Sequence, residues 1–289
     1  MTAGRAREQG RGLPYLILDV FAEAPLQGNQ LGVFTDAVGV GSEQMQRLAR
    51  ELNFSETAFL LPPEQDGDAR VRIFTPDHEL PFAGHPVLGS AVAVGARAGS
   101  SEVRLETGLG LIPVALRWKS EQGAFGLMQQ RVPQWSPYER EAELLSALGI
   151  TRSGLPVEAY ANGPLHVYVE LQDEGAVAEL RPDMRALAGL EACANTFAGR
   201  GRSWKTRMFA AAHGVDEDPA TGSAAGPLAV HLARHGRIAF GEEIEIRQGI
   251  EIGRPSVLYA RAEGSPERVE RVEVGGSAEI VARGEFLAR

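Results

Sequence analysis

Two segments place a polar side chain and a glycine directly before an Ala-rich apolar stretch. The first is Gly84-His85-Pro86, which opens VLGSAVAVGARAG. A Gly-rich loop that opens a helix leaves backbone N–H groups unpaired, and with the helix dipole they form an anion site suited to a carboxylate. His85 could add a proton donor or a hydrogen bond there. A tight turn with a helix cap would explain the same residues, so both interpretations stay open.

The second segment, residues 216–223, reads DEDPATGS. Acids near a helix N-terminus are stabilised there, so capping is the simplest explanation for one of them. Three acids in a row exceed what one cap needs. Asp218 is therefore a candidate for holding His85 or a substrate amine. Gly222 and Ser223 offer backbone N–H groups and a hydroxyl beside it.

A third candidate is Glu56, in the segment NFSETAF at residues 53–59. Its aromatic and apolar neighbours at the start of a strand predict partial burial. Burial raises the pKa of a carboxyl towards neutrality, which suits a residue that must both take and give a proton. A lone glutamate is more often a surface charge, so the local sequence by itself leaves the role of Glu56 open.

The elements that must position these segments are mostly strands. Strands outnumber helices and their links are short, which favours antiparallel or mixed sheets. Gly275-Gly276 is predicted to make a tight hairpin turn. Two stretches, FAGHPVLGSAVAV and DPATGSAAGPLAV, look alike half a chain apart and indicate two similar lobes. Helices are predicted at 42–52, at 139–149, after Pro86 and from Ser223 to Arg234.

Composition restricts the classes of function. The 289 residues carry a formal net charge of −9, which disfavours general nucleic-acid binding. Cys193 is the only cysteine, which excludes an internal disulfide and a multi-thiolate metal site. The chain lacks an apolar run long enough to span a membrane and a signal-peptide pattern, so we expect a cytoplasmic protein without a membrane partner. Residues 1–12 are expected to be a disordered extension.

Taken together, these segments resemble the PhzF-type phenazine biosynthesis isomerases, relatives of diaminopimelate epimerase. Four blocks carry the likeness, and it extends over residues 15–286. The NFSET, AGHP and DPATGSA signatures are specific in combination. The blocks are DVFAEAPLQGNQLGVF (19–34), ELNFSETAFL (51–60), RIFTPDHELPFAGHPVLGSA (72–91) and GVDEDPATGSAAGPLAVHL (214–232).

The resemblance implies an α+β fold of two pseudo-symmetric lobes, each a curled, mostly antiparallel sheet or barrel around a central helix. We expect one lobe to comprise residues 13–125 and 275–289, and the other residues 126–274. The active site would lie in the cleft between them. The related epimerases use one cysteine from each lobe, and Ala83 and Ala220 match those positions here.

In the PhzF type a glutamate takes over the proton transfer, and Glu56 matches it. The resemblance assigns His85 and Asp218 as its catalytic partners, and Gly84, Gly222 and Ser223 as substrate-binding residues. It implies an isomerase or epimerase that moves a proton next to a carboxylate in a small cyclic or amino-acid-like acid. No metal or cofactor is expected, and a homodimer is.

Two alternatives differ in class. One is a catalytically silent protein that binds a metabolite in the same cleft, although such a protein has no need of Glu56. The other is a hydrolase with Ser223, His85 and Asp218 as a triad. The serine lacks a G-x-S-x-G elbow, which argues against the hydrolase.

Overall fold

The computed structural model describes residues 12–287. The extension predicted at residues 1–12 therefore lies outside the described residues, apart from Gly12. No helix in the described part is long and apolar enough to cross a membrane.

The first part of the described chain contains eight strands and two helices. They are β1 (Leu13–Val20), β2 (Asn29–Phe34), α1 (Ser42–Leu52), β3 (Glu56–Leu61), β4 (Ala69–Phe74), β5 (Glu79–Leu80), α2 (Gly84–Ala98), β6 (Glu102–Thr107), β7 (Gly110–Trp118) and β8 (Gly123–Gln130).

The second part contains nine strands and four α-helices. They are β9 (Gln134–Pro137), α3 (Glu141–Leu148), β10 (Glu158–Ala161), β11 (Leu165–Glu170), α4 (Glu174–Glu179), α5 (Met184–Ala188), β12 (Cys193–Arg200), β13 (Ser203–Ala210), β14 (Val215–Asp218), α6 (Gly222–Arg234), β15 (Glu243–Gln248), β16 (Ser256–Gly264) and β17 (Val269–Phe286).

Helix α2 is the centre of the first lobe. The strands around it pair in a closed ring, in the order β1, β2, β3, β4, β6, β7, β8 and β17, and β17 returns to β1. The helix contacts every strand of this ring. Its small residues allow the close fit, because Gly89 faces Leu31 and Val20 where a Cβ would meet both side chains within 3 Å. The predicted buried helix after Pro86 is confirmed.

Helix α6 takes the same place in the second lobe. The strands of that lobe pair in the order β17, β16, β15, β13, β12, β11, β10 and β9. The helix is buried from Gly222 to Ala233 and packs on β11, β15, β16 and β17. Both lobes mix antiparallel pairs with two parallel ones, β2–β3 and β4–β6 in the first, β11–β12 and β13–β15 in the second. The two-lobed α+β fold is as expected, while the residue boundaries of the lobes stay a prediction.

The hairpin turn predicted at Gly275-Gly276 is wrong. Both glycines lie inside β17, an 18-residue strand that pairs first with β16, then with β8 and finally with β1. This strand passes from one lobe to the other. A Cβ on Gly276 would lie 2.4 Å from the ring of the buried Phe21, so the missing side chain makes room for that ring rather than for a turn.

We expect Gly276→Ala to destabilise the protein by about 1–3 kcal/mol, because the added methyl overlaps the Phe21 ring in a close-packed core. Urea unfolding followed by circular dichroism measures the effect. Gly123→Ala, in the partner strand β8, is the matched control, since its nearest atoms would lie at ordinary contact distances of 3.4–3.5 Å. Equal stabilities of the two variants would contradict this account.

Candidate active site

The N-termini of helices α2 and α6 meet at the junction of the two lobes. A Cβ on Gly84 would lie 2.8 Å from the backbone of Gly222 and Ser223. Only a residue without a side chain lets the two helix ends approach this closely. Neither N-cap residue, Ala83 or Thr221, caps its own helix with a side-chain hydrogen bond. The first N–H groups of both helices therefore face the same place, where an anion would be stabilised from two sides.

A cleft opens at this junction, with a cavity volume of about 210 Å³. The structure brings all six predicted site residues into its wall: Glu56, Gly84, His85, Asp218, Gly222 and Ser223. Apolar side chains form much of the remaining wall, among them Pro81, Phe82, Pro164, Met208 and Val215. The combination of an apolar wall with a few convergent polar groups is typical of a small-molecule site.

Glu56 begins strand β3 and its side chain is 17% exposed. Its Oε2 atom is buried and has no hydrogen-bond partner among the described residues. The nearest ring nitrogen, Nδ1 of His85, lies 3.4 Å from Oε2. Burial raises the pKa of Glu56 well above its ordinary value, and the negative charge of Asp218 raises it further. The burial predicted from the neighbours of Glu56 is therefore present.

Asp218 is also buried, but its carboxylate is well provided with donors. It accepts hydrogen bonds from Thr221 Oγ1 at 2.6 Å, Asn29 Nδ2 at 2.8 Å and Ser55 Oγ at 3.3 Å. The pKa of Asp218 is raised to about 6, because burial raises it by more than these three hydrogen bonds lower it. Glu56 has no such donors, so it is the carboxyl that keeps the proton when only one of the pair is ionised.

Asn29 links Asp218 to the histidine of the other lobe. Its Nδ2 atom lies 3.4 Å from Nδ1 of His85 and donates to Asp218 and to the carbonyl of Ala220. The expected direct contact between Asp218 and His85 is therefore replaced by a bridge. Asn29 was not among the site residues that sequence reasoning predicted. The clue that it overlooked is the position of Asn29 at the start of a short apolar strand, where a polar side chain faces inward.

His85 lies in the first turn of α2 and is almost fully buried. Burial lowers the pKa of His85 to about 3, so its imidazole is neutral at physiological pH. Its Nε2 atom has no partner among the described residues. A neutral imidazole with one free nitrogen in a cleft can form a hydrogen bond to a ligand without adding a charge.

The three consecutive acids separate in the structure. Asp218 lines the cleft, Glu217 forms an ion pair with Arg207 at 2.7 Å, and Asp216 is exposed. None of them caps helix α6: its N-cap residue is Thr221, and within the described residues no hydrogen bond joins the three carboxylates to the backbone N–H groups of the helix. The capping explanation for this acidic run is therefore wrong.

The proposed hydrolase triad is not assembled. The hydroxyl of Ser223 lies 3.0 Å from Nε2 of His166, a residue of β11 that sequence reasoning missed. His85 is instead placed next to Glu56, and Asp218 bonds to Asn29. Within the described residues Ser223 therefore has no side-chain hydrogen bond to His85 or Asp218, and Asp218 reaches His85 only through Asn29.

The positions matched to the epimerase cysteines are both at the cleft. Ala83 precedes helix α2 and Ala220 precedes helix α6, and both residues line the cavity. Cys193 also lines it, although it lies in strand β12. Burial raises the pKa of its thiol to about 12, so it is not a thiolate at neutral pH.

Two similar lobes with buried carboxyls at the cleft between them define an epimerase-like isomerase. A solved structure from Pseudomonas aeruginosa, described as a predicted epimerase, superposes with a TM-score of 0.80 at 32% identity, covering 96% of this chain and 99% of that one. The PhzF-family phenazine biosynthesis protein of Bacillus anthracis superposes with a TM-score of 0.83 at 24% identity, covering 96% and 100%, which shows the shared fold.

The family follows from the sequence comparisons. The model of the phenazine biosynthesis-like family PhzC-PhzF matches residues 18–284, and the chain belongs to this family. The trans-2,3-dihydro-3-hydroxyanthranilate isomerase of Pseudomonas aeruginosa is 54% identical over 271 residues, which cover 93% of this chain and 98% of that enzyme. The protein is an isomerase of the PhzF type, and the silent binding protein is set aside.

We expect Asp218→Asn to lower the pKa of Glu56, because the substitution removes the negative charge that raises it. Burial is the larger cause and remains, so the pKa stays above its ordinary value. Titration of the Glu56 side-chain carboxyl by ¹³C NMR measures the change. Asp216→Asn, on an exposed residue, is the control and leaves the pKa of Glu56 unaltered; an unaltered value in Asp218→Asn would refute the coupling.

Proposed function

We propose that this isomerase acts on trans-2,3-dihydro-3-hydroxyanthranilate, or on a closely related cyclic acid, with Glu56 as the single acid and base. The observation that carries the proposal is the environment of Glu56. Its carboxyl is buried without a donor, has a raised pKa, and lies in one cleft with two uncapped helix N-termini. The substrate named for the 54% identical relative has both a ring and a carboxylate.

The reaction starts from the ionised fraction of Glu56, which is reduced by its raised pKa. In the first step this Glu56 carboxylate removes a proton from a ring carbon. The electron pair of that C–H bond moves into the conjugated system of the ring and its carboxylate. In the second step the Glu56 carboxyl returns the proton to another carbon on the same face, and a C–C double bond shifts. One C–H bond breaks and one forms, so a single carboxyl whose pKa is raised by burial can perform both transfers.

The two helix N-termini supply the anion site. The backbone N–H groups of Gly84 and Gly222 and the hydroxyl of Ser223 are assigned to the substrate carboxylate. Negative charge that develops during the first transfer is stabilised by these preorganised donors in a site with little water. No proton needs to be transferred from them, because the substrate stays an anion throughout.

His85 and Asp218 are assigned to the polar substituents of the ring. Asp218 is the carboxylate that remains ionised, and it can accept a hydrogen bond from an amino group of the substrate. The free Nε2 of the neutral His85 can form a hydrogen bond to a hydroxyl of the substrate. Asn29 keeps the two in fixed relation. The volume of about 210 Å³ is below the roughly 300–1,000 Å³ typical of drug-sized ligands, which favours one small ring.

We expect Glu56→Gln to lower the rate of isomerisation by about 10²–10⁴, because the amide cannot carry the proton. Turnover of trans-2,3-dihydro-3-hydroxyanthranilate in D₂O, with deuterium in substrate and product followed by mass spectrometry, measures both the rate and the exchange. Glu51→Gln, on an exposed glutamate of α1, is the control and retains wild-type activity. Exchange that continues in Glu56→Gln would remove Glu56 from this role.

We also propose that the protein works as a cytoplasmic homodimer. The family resemblance supports the dimer, and the single free, buried Cys193 is compatible with a reducing compartment. Size-exclusion chromatography with light scattering is expected to give twice the chain mass of 31.0 kDa. A mass of one chain at micromolar concentration would contradict the dimer.

A further inference from the structure

We propose that His166 and Asn195 act as positioning residues that hold the Ser223 hydroxyl as a hydrogen-bond donor to the ligand's carboxylate. The inference rests on the proposed function in one respect, the assignment of Ser223 to the ligand. Its structural part concerns the direction of two hydrogen bonds within the protein and can be tested without a substrate.

The orientation of the Asn195 amide decides the first bond. Its Nδ2 atom lies 2.9 Å from the backbone carbonyl oxygen of Cys193, which can only accept. The same nitrogen lies 3.3 Å from Nδ1 of His166. An amide nitrogen has two hydrogens and no acceptor, so it donates to both atoms. Nδ1 of His166 is therefore the accepting nitrogen, and the ring proton sits on Nε2.

The His166 ring is not protonated on both nitrogens. The side chain is fully buried, and burial lowers its pKa to about 3, with a further contribution from His213. The ring is therefore neutral. Its Nε2–H group points at the Ser223 hydroxyl oxygen, 3.0 Å away. In this tautomer the histidine donates and the serine accepts.

The consequence concerns the serine's own hydrogen. Since its oxygen accepts from His166, the hydroxyl hydrogen must point elsewhere. No other side-chain hydrogen bond of Ser223 is present within residues 12–287, and the residue lines the cleft. The hydroxyl is thus preset as a donor into the cleft, which favours a carboxylate over an ammonium group at this position. This is the reverse of a serine nucleophile, whose proton is taken by a histidine.

The tautomer is measured directly in the ligand-free protein. With ¹⁵N-labelled histidine, we expect Nε2 of His166 to give the shift and one-bond proton coupling of a protonated nitrogen and Nδ1 those of an unprotonated one. The signals are assigned by their loss in His166→Gln. The opposite tautomer, or a doubly protonated ring at neutral pH, would overturn the proposal.

A pair of substitutions tests the functional part. His166→Leu removes the donor, so the Ser223 hydroxyl is no longer held as a donor towards the ligand. KM is therefore expected to rise about 10- to 100-fold, with kcat changed less. His166→Gln keeps an amide N–H in reach of Ser223 and is expected to stay within a few-fold of wild type. Equal losses in the two variants would indicate a purely structural role and overturn the proposal.

Asn195→Asp is expected to reverse the direction of the hydrogen bonds from residue 195 to His166 and from His166 to Ser223. A carboxylate accepts from Nδ1, which leaves Nε2 as the acceptor of the serine proton. We expect weaker binding of anthranilate, an aromatic carboxylate that cannot isomerise, and new labelling of Ser223 by a fluorophosphonate, which does not label the wild type. Labelling of the wild-type Ser223 would overturn the proposal.

The two proposals can fail separately. Glu56→Gln is expected to lower turnover by about 10²–10⁴ yet retain anthranilate binding, because it leaves Ser223 and His166 in place. If turnover proves independent of Glu56 while the His166 tautomer is as stated, the catalytic proposal fails and the positioning proposal stands. If turnover depends on Glu56 while His166 shows the opposite tautomer, the positioning proposal fails and the catalytic proposal stands.

Discussion

The site depends on the close approach of two helix N-termini. Gly84 and Gly222 face each other with no room for a side chain between the backbones. The Phe21 ring lies against Gly222 on one side and against Gly276 of the crossing strand on the other. One aromatic ring therefore sets the position of the helix end relative to the strand that joins the lobes. Because each helix is the buried centre of its own lobe, the meeting point cannot shift without moving both cores.

The cleft that results contains two similar carboxyl groups, Glu56 and Asp218, whose different surroundings give them different protonation states. Asp218 receives three hydrogen bonds from side chains, whereas the buried Oε2 atom of Glu56 receives none from residues 12–287. Two acids in one buried site would otherwise compete for a single proton. Unequal hydrogen bonding assigns the anion to one and the proton to the other, which is the division that a proton-transferring site requires. The neutral histidines add directional hydrogen bonds to this arrangement and no charge.

Several features of the site were within reach of sequence reasoning, and others were not. The starts of helices α2 and α6 to within two residues, the burial of Glu56 and the likeness of the two lobes follow from local patterns. Turn chemistry and apolar periodicity act over a few residues. Asn29, His166 and Asn195 were missed. Each acts through a partner more than 25 residues away. The local sequence can therefore indicate that such a side chain faces inward, but not which distant group it bonds to.

The error at Gly275-Gly276 has the same origin. A Gly-Gly pair between two strand-like stretches is a hairpin signal only if the strands pair with each other. Here the two stretches form one strand, β17, and the glycines leave space for the ring of Phe21, which is more than 250 positions away in the chain.

By itself, the sequence determined the class of fold, the family and six of the residues that line the cleft, because these depend on local residue types and on their combination. The tertiary structure alone decided which acid keeps its proton, which histidine faces Ser223 and which way that bond runs. Those properties are set by burial and by hydrogen-bond partners, and both are supplied by segments that come together only when the two lobes close around their helices.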